Sequence, residues 1–206
     1  MINTLNIYLP HTKRLEGVES HVKKLLMCLP RNLSYHNADH TLHPVLGVAA
    51  VTNKLADMEG ASPRGREIAV TAAYFHDVGY IRQYAANEPI GARMAGEVLP
   101  SLDYTQAEIQ RVQSLILATN ITFEPQTLLE NIIRDADLDY LGRNDFFEKL
   151  EALRKEKDVD PEEWIRSTMK FLKEHKYHTA SARFLREDKK QQNMAQLGVI
   201  ITRKLD

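Results

Sequence analysis

Apolar residues recur at spacings of three and four almost from end to end of this chain, and that restricts it to helices packed on helices. Leu15, Val18, Val22, Leu25, Leu26 and Leu29 make one such stripe across 14–28. Leu42, Val45, Leu46, Ala49, Val51 and Leu55 make another, which Gly60 stops. Ser62 followed by Pro63 reads as an N-cap and first-turn proline, opening a helix through Ile68, Ala72 and Phe75 that closes at Gly79. Further helices are expected over 88–99, 105–119, 126–141, 144–156, 161–174 and 179–204. The most strand-like piece, Ile2 to Leu9, alternates poorly, so no sheet is expected. The fold class is all-α, a multi-helix globule whose site is built from side chains converging from different helices.

At 206 residues the chain reads as one domain. The charged stretch RKEKDVDPEE (154–163) reads as a solvated turn with Pro161 starting the next helix. It sets a core of about 14–150 apart from a C-terminal helical extension of about 155–206. A formal net charge of −1 argues against a nucleic acid polymer or an anionic membrane as partner. A small anionic substrate therefore needs a local positive cluster, such as a metal ion. The single cysteine, Cys28 in LLMCL, cannot form an internal disulfide and reads as a small core residue. The N-terminal stretch lacks the features of a secretory signal, and no window approaches the roughly 18 apolar residues of a membrane span. A soluble cytoplasmic protein is the resulting expectation, with a homodimer as the default oligomer.

Three segments carry side chains suited to chemistry. In YHNADH, His36 and His40 are four apart and would share a face of a helix. In AAYFHDVGY, His76 and Asp77 sit together where an apolar run meets a glycine, so both can point into one partly buried cavity. In IIRDADLDYLG, Asp135, Asp137 and Asp139 interrupt an apolar helix, with Asp137 facing away from the other two. Solvation accounts for two of these aspartates but not for all three. Imidazole nitrogens with carboxylate oxygens suit Mn, Fe, Co, Ni or Zn, with Mg possible. Two histidines and two aspartates leave open positions for water and a phosphoryl oxygen.

The ordered set H…HD…D in a helical chain resembles the HD-domain superfamily of metal-dependent phosphohydrolases. The matching residues are His40, the pair His76-Asp77, and Asp137, and the resemblance spans about 35–142. The stretch YHNADHTLHPV also resembles the YHNxxH signature of cyclic nucleotide phosphodiesterases, in which the second histidine binds metal and the first protonates the leaving oxygen. The resemblance implies a metal held by His40, His76, Asp77 and Asp137, with His36 as general acid. Members holding two metals carry extra histidines at places that fall here on Asn87 and Asn120, so one divalent ion is expected. Glu88, beside Asn87, becomes the candidate to orient or deprotonate water. Arg183, Arg186 and Lys190 are spaced along one helix face and are candidates to steady a substrate phosphate. His11, His21, His43, His175 and His178 read as hydrogen-bonded core or surface residues.

The expected function is hydrolysis, by metal-activated water, of a phosphate ester in a small molecule, a nucleotide above all. Two alternatives stand beside it: a cyclic nucleotide phosphodiesterase, and a non-catalytic module that binds a metal or a nucleotide. Iron-dependent oxygen activation needs two irons, against which Asn87 and Asn120 argue.

Overall fold

The computed structural model describes residues 12–203; Ile2 to Leu9 and His11 lie outside the described residues. Among those described there is no strand, and no helix is long and apolar enough to cross a membrane. Helix α1 (Lys13–Leu26) starts where Thr12 accepts a hydrogen bond from the Leu15 N–H, and it buries Leu15, Val18, Val22 and Leu26. The short α2 (Ala38–Leu42) is capped by Asn37, and α3 (Val48–Met58) follows. In α4 (Pro63–Phe75), Ser62 caps and Pro63 opens the helix, as the sequence predicts. Next come α5 (Asn87–Val98), α6 (Gln106–Leu117) and α7 (Leu128–Asp137). Capping boxes, Thr105–Glu108 and Thr127–Glu130, start the last two. The described residues finish with α8 (Phe146–Lys157), α9 (Pro161–Glu174), capped by Asp160, and α10 (Ala180–Arg203).

Helix α4 is the axle of the fold. Glu67 to Phe75 are all buried, because α3, α6, α1 and α7 pack around it. A helix enclosed on every side needs apolar or small residues all round, so its stripe is weak while its core contribution is large. Burying side chains such as Ile68 and Phe75 stabilises by about 2–3 kcal/mol each, and the same burial leaves the chain after Phe75 at the floor of the core. A second apolar cluster, including Tyr35, Tyr140, Phe146, Leu150, Leu172 and Leu197, joins α8, α9 and α10 to the segment before α2. Gly79 sits against α5: a Cβ there would lie 1.9 Å from the Asn87 carbonyl oxygen. Glycine is needed at 79 for close approach rather than as a helix stop, since α4 already ends at Phe75 and a 3₁₀ turn covers Val78–Ile81.

The fold corrects five readings of the sequence. The stripe from Leu42 to Leu55 is two helices with a break at 43–47, where the His43 Nδ1 accepts the Val45 and Leu46 N–H groups and Val45 is 68% exposed. His36 precedes the Asn37 cap, so it shares no helix face with His40. The helix expected to reach 141 stops at Asp137, and a 3₁₀ turn (Asp139–Gly142) presses on α10, leaving only 2.4 Å between a Cβ on Gly142 and the Arg186 carbonyl oxygen. Cys28 is exposed, because α1 ends at Leu26. The charged stretch is no solvated turn at its start: Arg154 to Lys157 form the last turn of α8, and the Glu156 side chain is fully buried.

Candidate metal centre

Three elements bring the cluster together. The Asn37 side chain accepts from the Asp39 and His40 N–H groups and so sets the first turn of α2, from which His40 projects. His76 follows the end of α4 and is 1% exposed. Its Nδ1 lies 2.7 Å from the Ala73 carbonyl oxygen, an acceptor, so Nδ1 carries the proton and Nε2 is left free to donate its lone pair. Asp137 closes α7. The Nε2 atoms of His40 and His76 are 3.4 Å apart, and the Asp137 Oδ1 is 3.1 Å from the first and 3.6 Å from the second. One ligand atom from each of the three lies within 4.8 Å of the other two. Ligands bonded at about 2.1 Å around one ion stand about 3 Å apart, so this spacing fits a small divalent cation. Asp77 adds an oxygen, Oδ2, 3.1 Å from the His76 Nε2 and 3.5 Å from the His40 Nε2.

The electrostatics ask for a positive charge. The Asp77 Oδ2 is buried and accepts no hydrogen bond, a state that costs free energy unless a cation sits beside it. Burial opposes charge on His76, yet Asp77 and Asp137 outweigh it and hold the imidazole well above its ordinary pKa. For His40 burial wins over the same carboxylates and the pKa is lowered, which favours the neutral, ligating form. Asp137 and Asp77 are held below the usual carboxylate range, because the neighbouring imidazoles outweigh the burial that would raise them.

The HD domain family model matches residues 41–139. Over that span the chain is similar to an HD domain. No match was found among curated proteins, and none among solved structures. HD domains form a superfamily of metal-dependent phosphohydrolases, and here the domain and the His/Asp cluster together point to a divalent metal. The matched span holds His76, Asp77 and Asp137 and begins one residue after His40, so the YHNxxH stretch lies outside it.

Beyond the HD domain, α8 reaches back to the site. The Glu156 carboxylate accepts a short hydrogen bond from the His36 Nδ1 and also takes the backbone N–H groups of Tyr35 and His36, at 2.8 and 3.0 Å. Tyr84 donates to the same carboxylate at 3.0 Å. The His36 Nε2 is then turned to the Tyr80 hydroxyl, 3.3 Å away. Glu156 was missed in the sequence, where it is one charge among many. Its one signal is that 150, 153 and 156 continue the inner stripe of α8. A cavity of about 430 Å³ opens onto His36, Asp77 and Asp137, a volume suited to a small molecule.

Asn87 and Asn120 are spent on the protein: the Asn87 amide donates to the His76 carbonyl, and the Asn120 amide donates to Glu88. Glu88 also lines the cavity, and its second oxygen, Oε2, is buried with no hydrogen-bond donor.

The structure places Arg183, Arg186 and Lys190 away from this cavity, which corrects their assignment to a substrate phosphate. Arg183 donates to the carbonyls of Tyr177 and His178. Arg186 grips Asp139 with two hydrogen bonds, at 2.6 and 3.1 Å. Lys190 is 2% exposed, donating to the His175 carbonyl and paired with Glu187. Asp135 is likewise buried, accepting from the backbone of His178 and Thr179 and from the Thr179 hydroxyl. Solvation thus explains neither Asp135 nor Asp139: Asp135 ties α7 to the residues just before α10, and Asp139 ties the 3₁₀ turn after α7 to α10, with Asp137 between the two in sequence.

Proposed function

We propose that the chain hydrolyses a phosphate ester of a small molecule, a nucleotide in the first instance, with His40, His76, Asp77 and Asp137 as the ligands of one divalent ion. The observation that carries this is the convergence of two imidazole Nε2 atoms, the buried Asp77 carboxylate and the part-buried Asp137 carboxylate beside a cavity that also receives His36. A divalent cation bound there supplies Lewis acidity toward a phosphoryl oxygen and lowers the pKa of a water. His36 gives a proton from Nε2 to the leaving oxygen, while Glu156 holds the proton on Nδ1 and fixes the ring. The free Oε2 of Glu88 accepts a proton from the attacking water, with Oε1 steadied by Asn120. Tyr35, Tyr80 and Tyr140 wall the centre with aromatic surface and limit bulk water.

Elemental analysis joined to a phosphate-release screen with Mn, Co, Ni and Mg tests this. Near one metal per chain with release from a nucleotide supports it. Turnover that persists in metal-depleted His76→Ala or Asp137→Ala protein removes it. A second reading, cleavage of a cyclic phosphodiester, draws on the YHNxxH stretch and the inward Nε2 of His36. Faster turnover of a 3′,5′-cyclic nucleotide than of the monophosphate would select it. Tight nucleotide binding without any product would select a non-catalytic module.

A further inference from the structure

The large cavity runs past the metal centre into helices that the HD domain does not cover. Its far wall is made by Leu150 and Leu153 of α8 and by Trp164 and Phe171 of α9. All four belong to the second apolar cluster or pack against it, so the wall is anchored. The Trp164 ring is fixed by its Nε1, which donates to the Leu150 carbonyl at 3.0 Å. With that N–H used by the protein, the ring offers the cavity apolar surface. The nearby Ser167 hydroxyl is also taken, donating to the Trp164 carbonyl at 3.0 Å. Charge is arranged just as unevenly. Lys157 is the sole Lys or Arg among the described lining residues, its ammonium 5.8 Å from the Trp164 ring centroid, and it faces a cavity that also holds Asp77, Glu88 and Asp137.

We infer that this wall seats the organic part of the ester and selects a planar aromatic group that carries a single phosphate. This rests on the phosphate-ester reading for the metal end and deepens it at the other end. Flat rings gain from stacking on an indole face and a phenyl ring. Hydroxyl-rich groups would lose hydrogen bonds to water against Leu150, Leu153 and Phe171 without recovering them. One lysine among three carboxylates leaves the further charges of a polyphosphate unpaired. The discriminating residues are therefore Trp164 and Phe171, in the part of the chain that follows the HD domain.

Trp164 is the single tryptophan of the chain, so its fluorescence reports on this wall. In protein supplied with manganese, 1-naphthylmethylphosphonate is expected to change that emission. By calorimetry it should bind about tenfold tighter than methylphosphonate, and several-fold tighter than cyclohexylmethylphosphonate, whose puckered ring cannot stack. Trp164→Ala and Phe171→Ala should remove most of this preference and leave methylphosphonate binding unchanged. Trp164→Phe, which keeps a flat face, should retain it, so a loss of folding is told apart from a loss of the ring. Equal affinity for the three phosphonates, or a folded Trp164→Ala protein that keeps the naphthyl preference, overturns the inference while leaving any measured phosphate release intact. A naphthyl preference that depends on Trp164, with no phosphate released from any ester, upholds the wall and removes the hydrolysis.

Discussion

Glu156 holds the Nδ1 of His36 across 120 positions of sequence and at the same time takes the N–H groups of Tyr35 and His36. A buried carboxylate with four donors, the Tyr84 hydroxyl among them, locks both the ring and the segment that leads into α2. Glu156→Gln keeps the volume but weakens the grip on Nδ1. Turnover should fall about 10- to 100-fold, as it does when the partner of an active-site histidine is altered, while metal content stays unchanged. His36→Ala should lower turnover by about 100-fold or more. A Glu156→Gln enzyme with wild-type kcat and an unshifted pH–rate profile would show that the contact only stabilises the fold.

Metal affinity should rise with pH. Protons compete with the metal for the imidazole nitrogens, and His76 is held well above its ordinary pKa by Asp77 and Asp137 when no cation is bound. The competition therefore sets in above the ordinary histidine range and deepens as the solution is acidified. Calorimetric titration with manganese at pH 8, 7 and 6 should show the Kd weakening at each step, with proton release on binding. A Kd that does not change over this range would mean that His76 is no ligand.

Arg186→Ala should destabilise the fold without weakening substrate binding. Its partner Asp139 is 4% exposed at the side chain, and Arg143, 3.9 Å away, is too distant to replace two direct hydrogen bonds. Leaving such a carboxylate uncompensated costs about 3 kcal/mol. The midpoint of urea unfolding should fall accordingly, with KM unchanged in the folded protein. The opposite pattern, a raised KM with unchanged stability, would restore Arg186 to the substrate phosphate.

Acid should loosen the contacts by which Arg14 of α1 and Arg64 of α4 hold Glu108 of α6. Burial pushes the Glu108 carboxyl up, but the Thr105 N–H and the Arg64 and Arg14 guanidiniums more than offset it and hold it at about 2. A carboxyl depressed on folding contributes stability that is fully present above its unfolded pKa of about 4.5 and lost as the pH falls toward 2. Unfolding midpoints measured between pH 5 and pH 2 should fall, and Glu108→Gln should flatten that slope while lowering stability at pH 7. A slope unchanged by Glu108→Gln would assign the acid lability to other carboxylates.

The helices and the core of the centre were legible because they rest on local rules. Spacing of apolar residues, the Ser62–Pro63 start and the end of an apolar run at His76-Asp77 each depend on a few consecutive residues. So does the alternation that turns Asp137 away from Asp135 and Asp139. What those two aspartates do was not legible, since their donors, the Thr179 region and Arg186, lie more than 40 positions on. The break at 43–47 escaped for a related reason: Val45 and Leu46 keep helical spacing, yet two N–H groups find the His43 ring instead of a helical carbonyl.

By itself, then, the sequence determined an all-helical chain with three segments whose histidines and aspartates are fit for a metal, because helix periodicity and capping are set within a turn or two of the backbone. Only the tertiary structure decided that Glu156 orients His36, that Arg186 serves Asp139 rather than a ligand, and that α8 and α9 wall the cavity. A buried charge has to find its partner wherever packing brings one, and no spacing along the chain records where that is.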